Sequence, residues 1–108
     1  MSEALALRVA CPNAEAAREI ARSAVDKRLA ASANVILPVE SHYRWEGRVH
    51  SAPETLLWMT THRACLSGLT ALIHDLHPYE LPAITWHPVE ADTATAAWIN
   101  ESADRTQV

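Results

Sequence analysis

Residues 74–88, HDLHPYELPAITWHP, bring three histidines, a tyrosine and a glutamate into one short stretch. His74 and His77 stand at i and i+3 near the end of an apolar helical repeat, a spacing at which two imidazoles can serve one metal ion. His87 follows ten residues later, in a run that reads as a strand. The same residues also read as plain structure, with His74 a favourable cation in a helix's last turn and His87 a sheet-face residue. No third ligand stands at a fixed spacing, and no carboxylate is placed to orient either ring. His77-Pro78-Tyr79-Glu80-Leu81-Pro82 is better defined, because two prolines stiffen the loop and present Tyr79 and Glu80 on a fixed backbone. Such a loop serves binding, or it is a connection in which Tyr79 only packs.

The other reactive groups are sparse. Cys11 precedes a helix start, where the dipole favours a thiolate, or it is a small buried apolar residue. Cys65 lies within a helical repeat and reads as packing. Two cysteines this far apart form neither a disulfide framework nor a zinc knuckle. Gly47 and Gly68 are the only glycines, which excludes a glycine-rich phosphate cradle. No nucleophile, base and oxyanion donor stand at spacings that define a catalytic centre, so the chain is read as a non-enzyme.

These groups need elements to position them. Residues 4–10 (ALALRVA) read as a strand, and Asn13 as the N-cap of a helix over Ala14–Ala31, where Ala17, Ile20, Ala21, Ala24, Val25 and Leu29 recur at helical spacing. Lys27 and Arg28 complement that helix's C-terminus. Residues 34–45 and 48–61 read as two strands joined by Glu46-Gly47, either by a two-residue turn or by a loop with a glycine bulge. Pro38 and Pro53 cannot donate ladder hydrogen bonds, so each belongs at a bulge or an edge. The hairpin is therefore long and bent, and its tip projects beyond the sheet. There Tyr43, Trp45, Glu46 and Gly47 make an exposed aromatic tip suited to an interface. A helix over Cys65–Leu76 ends at His77-Pro78, residues 83–89 form a last strand, and Asp92 caps a terminal helix reaching Glu101.

The order β-α-β-β-α-β with a trailing helix is the split βαβ, ferredoxin-like pattern of the α+β class: an antiparallel sheet with two helices on one face. A chain of 108 residues makes one domain, 1–108, burying about two-thirds of its unfolded surface. Without phenylalanine, its core is expected to use small side chains anchored by four tryptophans. The runs Val35-Ile36-Leu37 and Leu56-Leu57-Trp58-Met59 do not alternate as strands covered on one side should. Both sheet faces are therefore expected to be dry, the second covered by another copy of the chain. A net charge of −4 without a basic run argues against nucleic acid. Arg8 inside the first apolar run argues against a secretory leader, and no stretch is long enough to cross a bilayer. The expected location is the cytoplasm.

Taken together, Ala14–Ala21 (AEAAREIA), Leu29-Ala30-Ala31, Ala33-Asn34-Val35, Tyr43-x-Trp45-Glu46-Gly47, Thr60-Thr61, Leu76–Pro82 and Pro88-Val89 resemble the CutA family of divalent-cation tolerance proteins. The likeness runs from Leu5 to Ser102. It implies a ferredoxin-like homotrimer whose long hairpins meet between subunits, like the trimers of PII signalling proteins, and a link to copper and other divalent cations. Copper-binding members use a cysteine late in the first strand and two adjacent histidines before Pro-Tyr. Here those positions hold Val9, Leu76 and His77, while Ser32 replaces a frequent cysteine and Thr60 a frequent lysine. The resemblance thus implies His77 as a metal ligand, with Cys11 able to substitute from two residues away on the same strand face. The alternative is a small-molecule signalling module with clefts between subunits lined by Tyr79, Glu80, Thr60 and Thr61. A third reading makes the trimer a scaffold for another protein, recruited at the hairpin.

Overall fold

The computed structural model describes residues 3–104. Its first strand, β1 (Ala4–Cys11), alternates cleanly, with Leu5, Leu7, Val9 and Cys11 buried beneath the helices. Helix α1 (Ala14–Asp26) begins where Asn13 Oδ1 accepts from the Ala16 amide at 2.9 Å, as its position before the apolar repeat predicts. It stops five residues short of the expected end. Arg28 adopts φ 60°, and the Leu29 and Ala30 amides turn back onto the Ala24 carbonyl at 2.9 and 3.1 Å. That left-handed residue closes the helix and sends Ala30 and Ala31 into the core. The Arg28 guanidinium does not serve its own helix but donates to the Glu101 carbonyl.

Strands β2 (Ser32–Trp45) and β3 (Arg48–His62) form the long hairpin. Trp45 pairs with Arg48, and Glu46 and Gly47 lie at φ 51° and 77°. The connection is thus a two-residue turn with both residues left-handed, not a bulged loop. The strand twist imposes that turn even on a glutamate. The register shifts between Ile36 and Val39, which places Pro38 at the bulge. Pro53 lies beyond Thr55, where β1 ends and β3 pairs only with β2, so its missing donor costs no ladder bond. The arm gives the molecule extents of 44 × 25 × 22 Å.

A short 3₁₀ turn (Arg63–Cys65) leads into α2 (Leu66–Leu76), followed by β4 (Thr85–Pro88) and α3 (Thr93–Ser102). Asp92 caps α3 through Thr95, as expected. The sheet order is β2-β3-β1-β4, antiparallel throughout, the split βαβ arrangement. The main core packs Leu7, Val9, Leu57 and Met59 against Ile20, Leu69 and Ile73. A smaller cluster of Ala4, Ala31, Cys65, Ile99 and Ala103 seats α3.

Two expectations change here. Trp45, Trp58, Trp86 and Trp98 are all exposed rather than core anchors. Small alanines bring α1 so close to the sheet that Leu, Ile, Val and Met fill the remaining space. The second sheet face is also not uniformly apolar. Partners across the strands place Ala6, Ala10, Ile36, Leu56 and Trp58 there, but also Arg8, Asn34 and Thr60. Arg8 lies over the Trp58 ring at 5.8 Å, a cation–π contact.

Candidate functional site

The end of β1, the base of the arm and the loop after α2 meet at one place. His77 caps α2 with extended backbone (ψ 134°), as a residue before proline must. This folds the loop back over the sheet end and buries the imidazole. His77 Nε2 lies 2.8 Å from the Ala10 carbonyl. A carbonyl only accepts, so Nε2 carries the proton. Nδ1 accepts from the Tyr79 amide at 3.0 Å. Both ring nitrogens are therefore engaged, and neither is free for a metal without exchange.

The turn fixed by His77 aims Tyr79 at β3. Its ring stands 4.8 Å from the His77 ring, and its hydroxyl donates to Glu54 Oε2 at 2.5 Å. Burial, then the Glu54 hydrogen bond and charge, push the Tyr79 hydroxyl far above the usual phenol range. Burial first, and the Glu54 charge second, push the Cys11 thiol up to about 11. Cys11 is thus a protonated thiol near neutral pH, the opposite of a dipole-activated thiolate. It is completely buried. Tyr43, expected at an interface, also adds to the electrostatic surroundings of Tyr79 and stacks on His50 at 5.4 Å.

Other expected residues do not join them. His74 is exposed on α2, and His87 pairs with Ala6 on β4. Among the described residues no three His, Cys, Asp or Glu side chains converge as a metal site. The three histidines of residues 74–88 are a helix-end surface residue, a loop tie and a sheet residue. Glu80 is exposed. Thr60 and Thr61 lie at the far end of β3, about 20 Å from Glu54 at ~3.3 Å per residue, and Thr61 Oγ1 bonds the Leu29 carbonyl at 2.6 Å. Within one chain the four residues expected to line a small-molecule cleft do not meet, and that alternative gains no support. A shallow groove of about 510 Å³ lies elsewhere, lined by Arg18, Arg22, Asp26 and Val35 among others.

Glu54 is the residue that sequence reasoning missed. It opens the apolar run TLLWM and follows a proline, so it reads as the outer arm. Its period-2 parity with Leu56 and Trp58 was the available signal, for it places Glu54 on the sheet face away from the helices. Only the tertiary fold of the Tyr79 loop covers it, leaving it 6% exposed.

A family model described as CutA1 divalent ion tolerance protein matches residues 5–102. Protein CutA of Mus musculus is 40% identical over 82 residues, covering 76% of this chain and 46% of its own length. The chloroplastic protein CutA of Arabidopsis thaliana is 38% identical over 81 residues, covering 75% and 44% respectively. The chain thus spans about half the length of these relatives. The solved divalent cation tolerance protein of Thermus thermophilus superposes with a TM-score of 0.91 at 32% identity, over 94% of this chain and 99% of that one.

Proposed function

The chain belongs to the CutA1 family of divalent-ion tolerance proteins, and on that premise we propose that it acts in divalent-cation tolerance as a homotrimer that binds copper or another divalent cation weakly. The observation that carries the reading is the family match over residues 5–102, which spans both the hairpin tip and the His77–Pro82 loop. The site chemistry limits the kind of binding. A soft Cu(I) ion needs thiolate, and Cys11 joins only on losing a proton that its surroundings hold to about pH 11. Cu(II) suits imidazole, and His77 offers Nδ1 once the Tyr79 amide lets go. Exchanging a hydrogen bond for a metal bond, with no group of three His, Cys, Asp or Glu side chains converging among the described residues, makes affinity low.

Exposed apolar residues support the trimer. Ile36 and Trp58 on the open sheet face are 41% and 39% exposed, Tyr43 and Trp45 on the arm are exposed as well, and Val49, on the other face of the arm, is 69% exposed. Exposed aromatic and aliphatic residues grouped on one sheet face and along an arm suit an interface between chains. Among the described residues no helix is long and apolar enough to cross a membrane, and the cytoplasm is the proposed compartment. Calorimetric titration with Cu(II) tests the function: wild type gives a weak saturable heat, and His77→Ala loses most of it. Identical heats from the two proteins remove His77 as a ligand.

A further inference from the structure

We propose that Arg8 is the charged contact of this chain with a second copy of itself: when a copy closes over the open sheet face, the guanidinium takes a carboxylate supplied by that copy. The inference rests on the homotrimer reading above and names the group that makes the contact specific. Arg8 lies at the centre of the open face, since it pairs with Trp58 on β3 and Thr85 on β4, and Trp58 pairs in turn with Asn34 on β2. Its guanidinium carbon stands 5.8 Å from the Trp58 ring centroid. The ring attracts the charge but leaves the N–H donors to water or to another acceptor. Among the described residues the one ion pair is His42 with Glu40, so no carboxylate of the same chain neutralises Arg8.

The surroundings of Arg8 show why the answering acid comes from outside. The residues that share its side of the sheet between Ser32 and Ile36, Leu56 and Thr60, Ala6 and Ala10, and Thr85 and His87 include no Asp or Glu. Glu54 lies on that side four residues from Trp58, about 13 Å away at the rise of a strand, and it is buried under the Tyr79 hydroxyl. Ala6 and Ala10 flank Arg8 with small side chains, so the guanidinium stands clear for a group arriving from another chain. Covering Ile36 and Trp58 takes Arg8 out of water as well, and a guanidinium removed from water needs a paired anion. The covering copy is well supplied, with 13 acidic side chains against 9 Lys and Arg. A net charge of −4 sets two copies against one another. A cation on an otherwise acid-free face makes that face the place where an acidic copy is drawn in.

The test is light scattering of the full chain, wild type and Arg8→Met, over a dilution series repeated in mild urea so that a tight assembly also dissociates. Methionine keeps an apolar stem over Trp58 and removes the charge. Wild type is expected at about three times 11.9 kDa. Arg8→Met is expected to dissociate with a constant at least about ten-fold higher, because it strands the neighbour's buried carboxylate. Arg8→Lys keeps the charge and is expected to recover most of that loss. Circular dichroism checks the fold, and should the methionine variant not fold, Arg8→Gln takes its place with the same expectation. A folded Arg8→Met that assembles as tightly as wild type, or more tightly, overturns the proposal and leaves the trimer standing, since an unpaired cation hinders closure of an apolar face. Arg8→Lys no better than Arg8→Met also overturns it, because charge is then not the cause. A wild type that scatters as a single chain overturns both the proposal and the trimer.

Discussion

Tyr79, Glu54, His77 and Cys11 show how a side chain's chemistry is decided by what lies within a few ångströms of it. Cys11 follows a strand and precedes a helix, a position that can activate a thiol. Burial and the Glu54 charge instead hold its proton, moving the pKa from 9.0 to about 11. The consequence for stability has a definite sign. A group whose folded pKa is raised stabilises the fold fully below its unfolded value and loses that contribution as pH rises through the folded value. Stability of the chain should therefore fall between about pH 9 and about pH 11. Tyr79, raised by burial and by Glu54, adds to the loss at the upper end. Urea midpoints measured across that range check it, with Cys11→Ser expected to flatten the profile. A profile unchanged by the substitution would count against Cys11 as a cause.

Arg28 belongs to the scale of elements. It ends α1 in a left-handed conformation that costs an L-residue about 1–2 kcal/mol, and its guanidinium donates to the Glu101 carbonyl near the end of α3. The backbone strain and the cap have opposite signs, so two substitutions separate them. Arg28→Ala keeps the strain and loses the cap. Arg28→Gly loses the cap but relieves the strain, and should be more stable than Arg28→Ala by roughly 1 kcal/mol. Denaturant unfolding of both variants measures the difference. An alanine variant as stable as the glycine variant would mean that the φ of 60° carries no strain. Gly68 has an analogous packing reason, since a Cβ there would stand 2.9 Å from Leu29 Cδ2. This allows α2 to approach the turn that Arg28 sets.

For the whole molecule, the four exposed tryptophans and the arm pose the question of what covers them. The proposed homotrimer is one that would cover part of them, and light scattering should then give a mass about three times 11.9 kDa. Ile36 is already exposed in the single chain, so Ile36→Glu should cost the isolated fold within about 0.5 kcal/mol. In an assembly that closes over the open sheet face, the same carboxylate would be buried and would drive the trimer apart. A folded Ile36→Glu variant that elutes at the wild-type size would show that this face is not the contact.

Local periodicity and chain stereochemistry determined most of the elements from sequence alone. Asn13 and Asp92 as caps, the first strand over residues 4–10, the stop at His77-Pro78 and the placement of Pro38 and Pro53 all follow from neighbours a few residues away. The family was legible for the same reason, because its motifs are contiguous. Only the tertiary structure decided the early end of α1, where the αL turn at Arg28 sends Ala30 and Ala31 into the core and brings the guanidinium to the Glu101 carbonyl far along the chain. It also decided that the tryptophans lie outside, because how close α1 approaches the sheet is a packing outcome. The site was split in the same way. His77 and Tyr79 stand out in a proline-braced loop, whereas Glu54 acquires its partner from 25 residues away, and no spacing rule along a chain reports a contact made by folding.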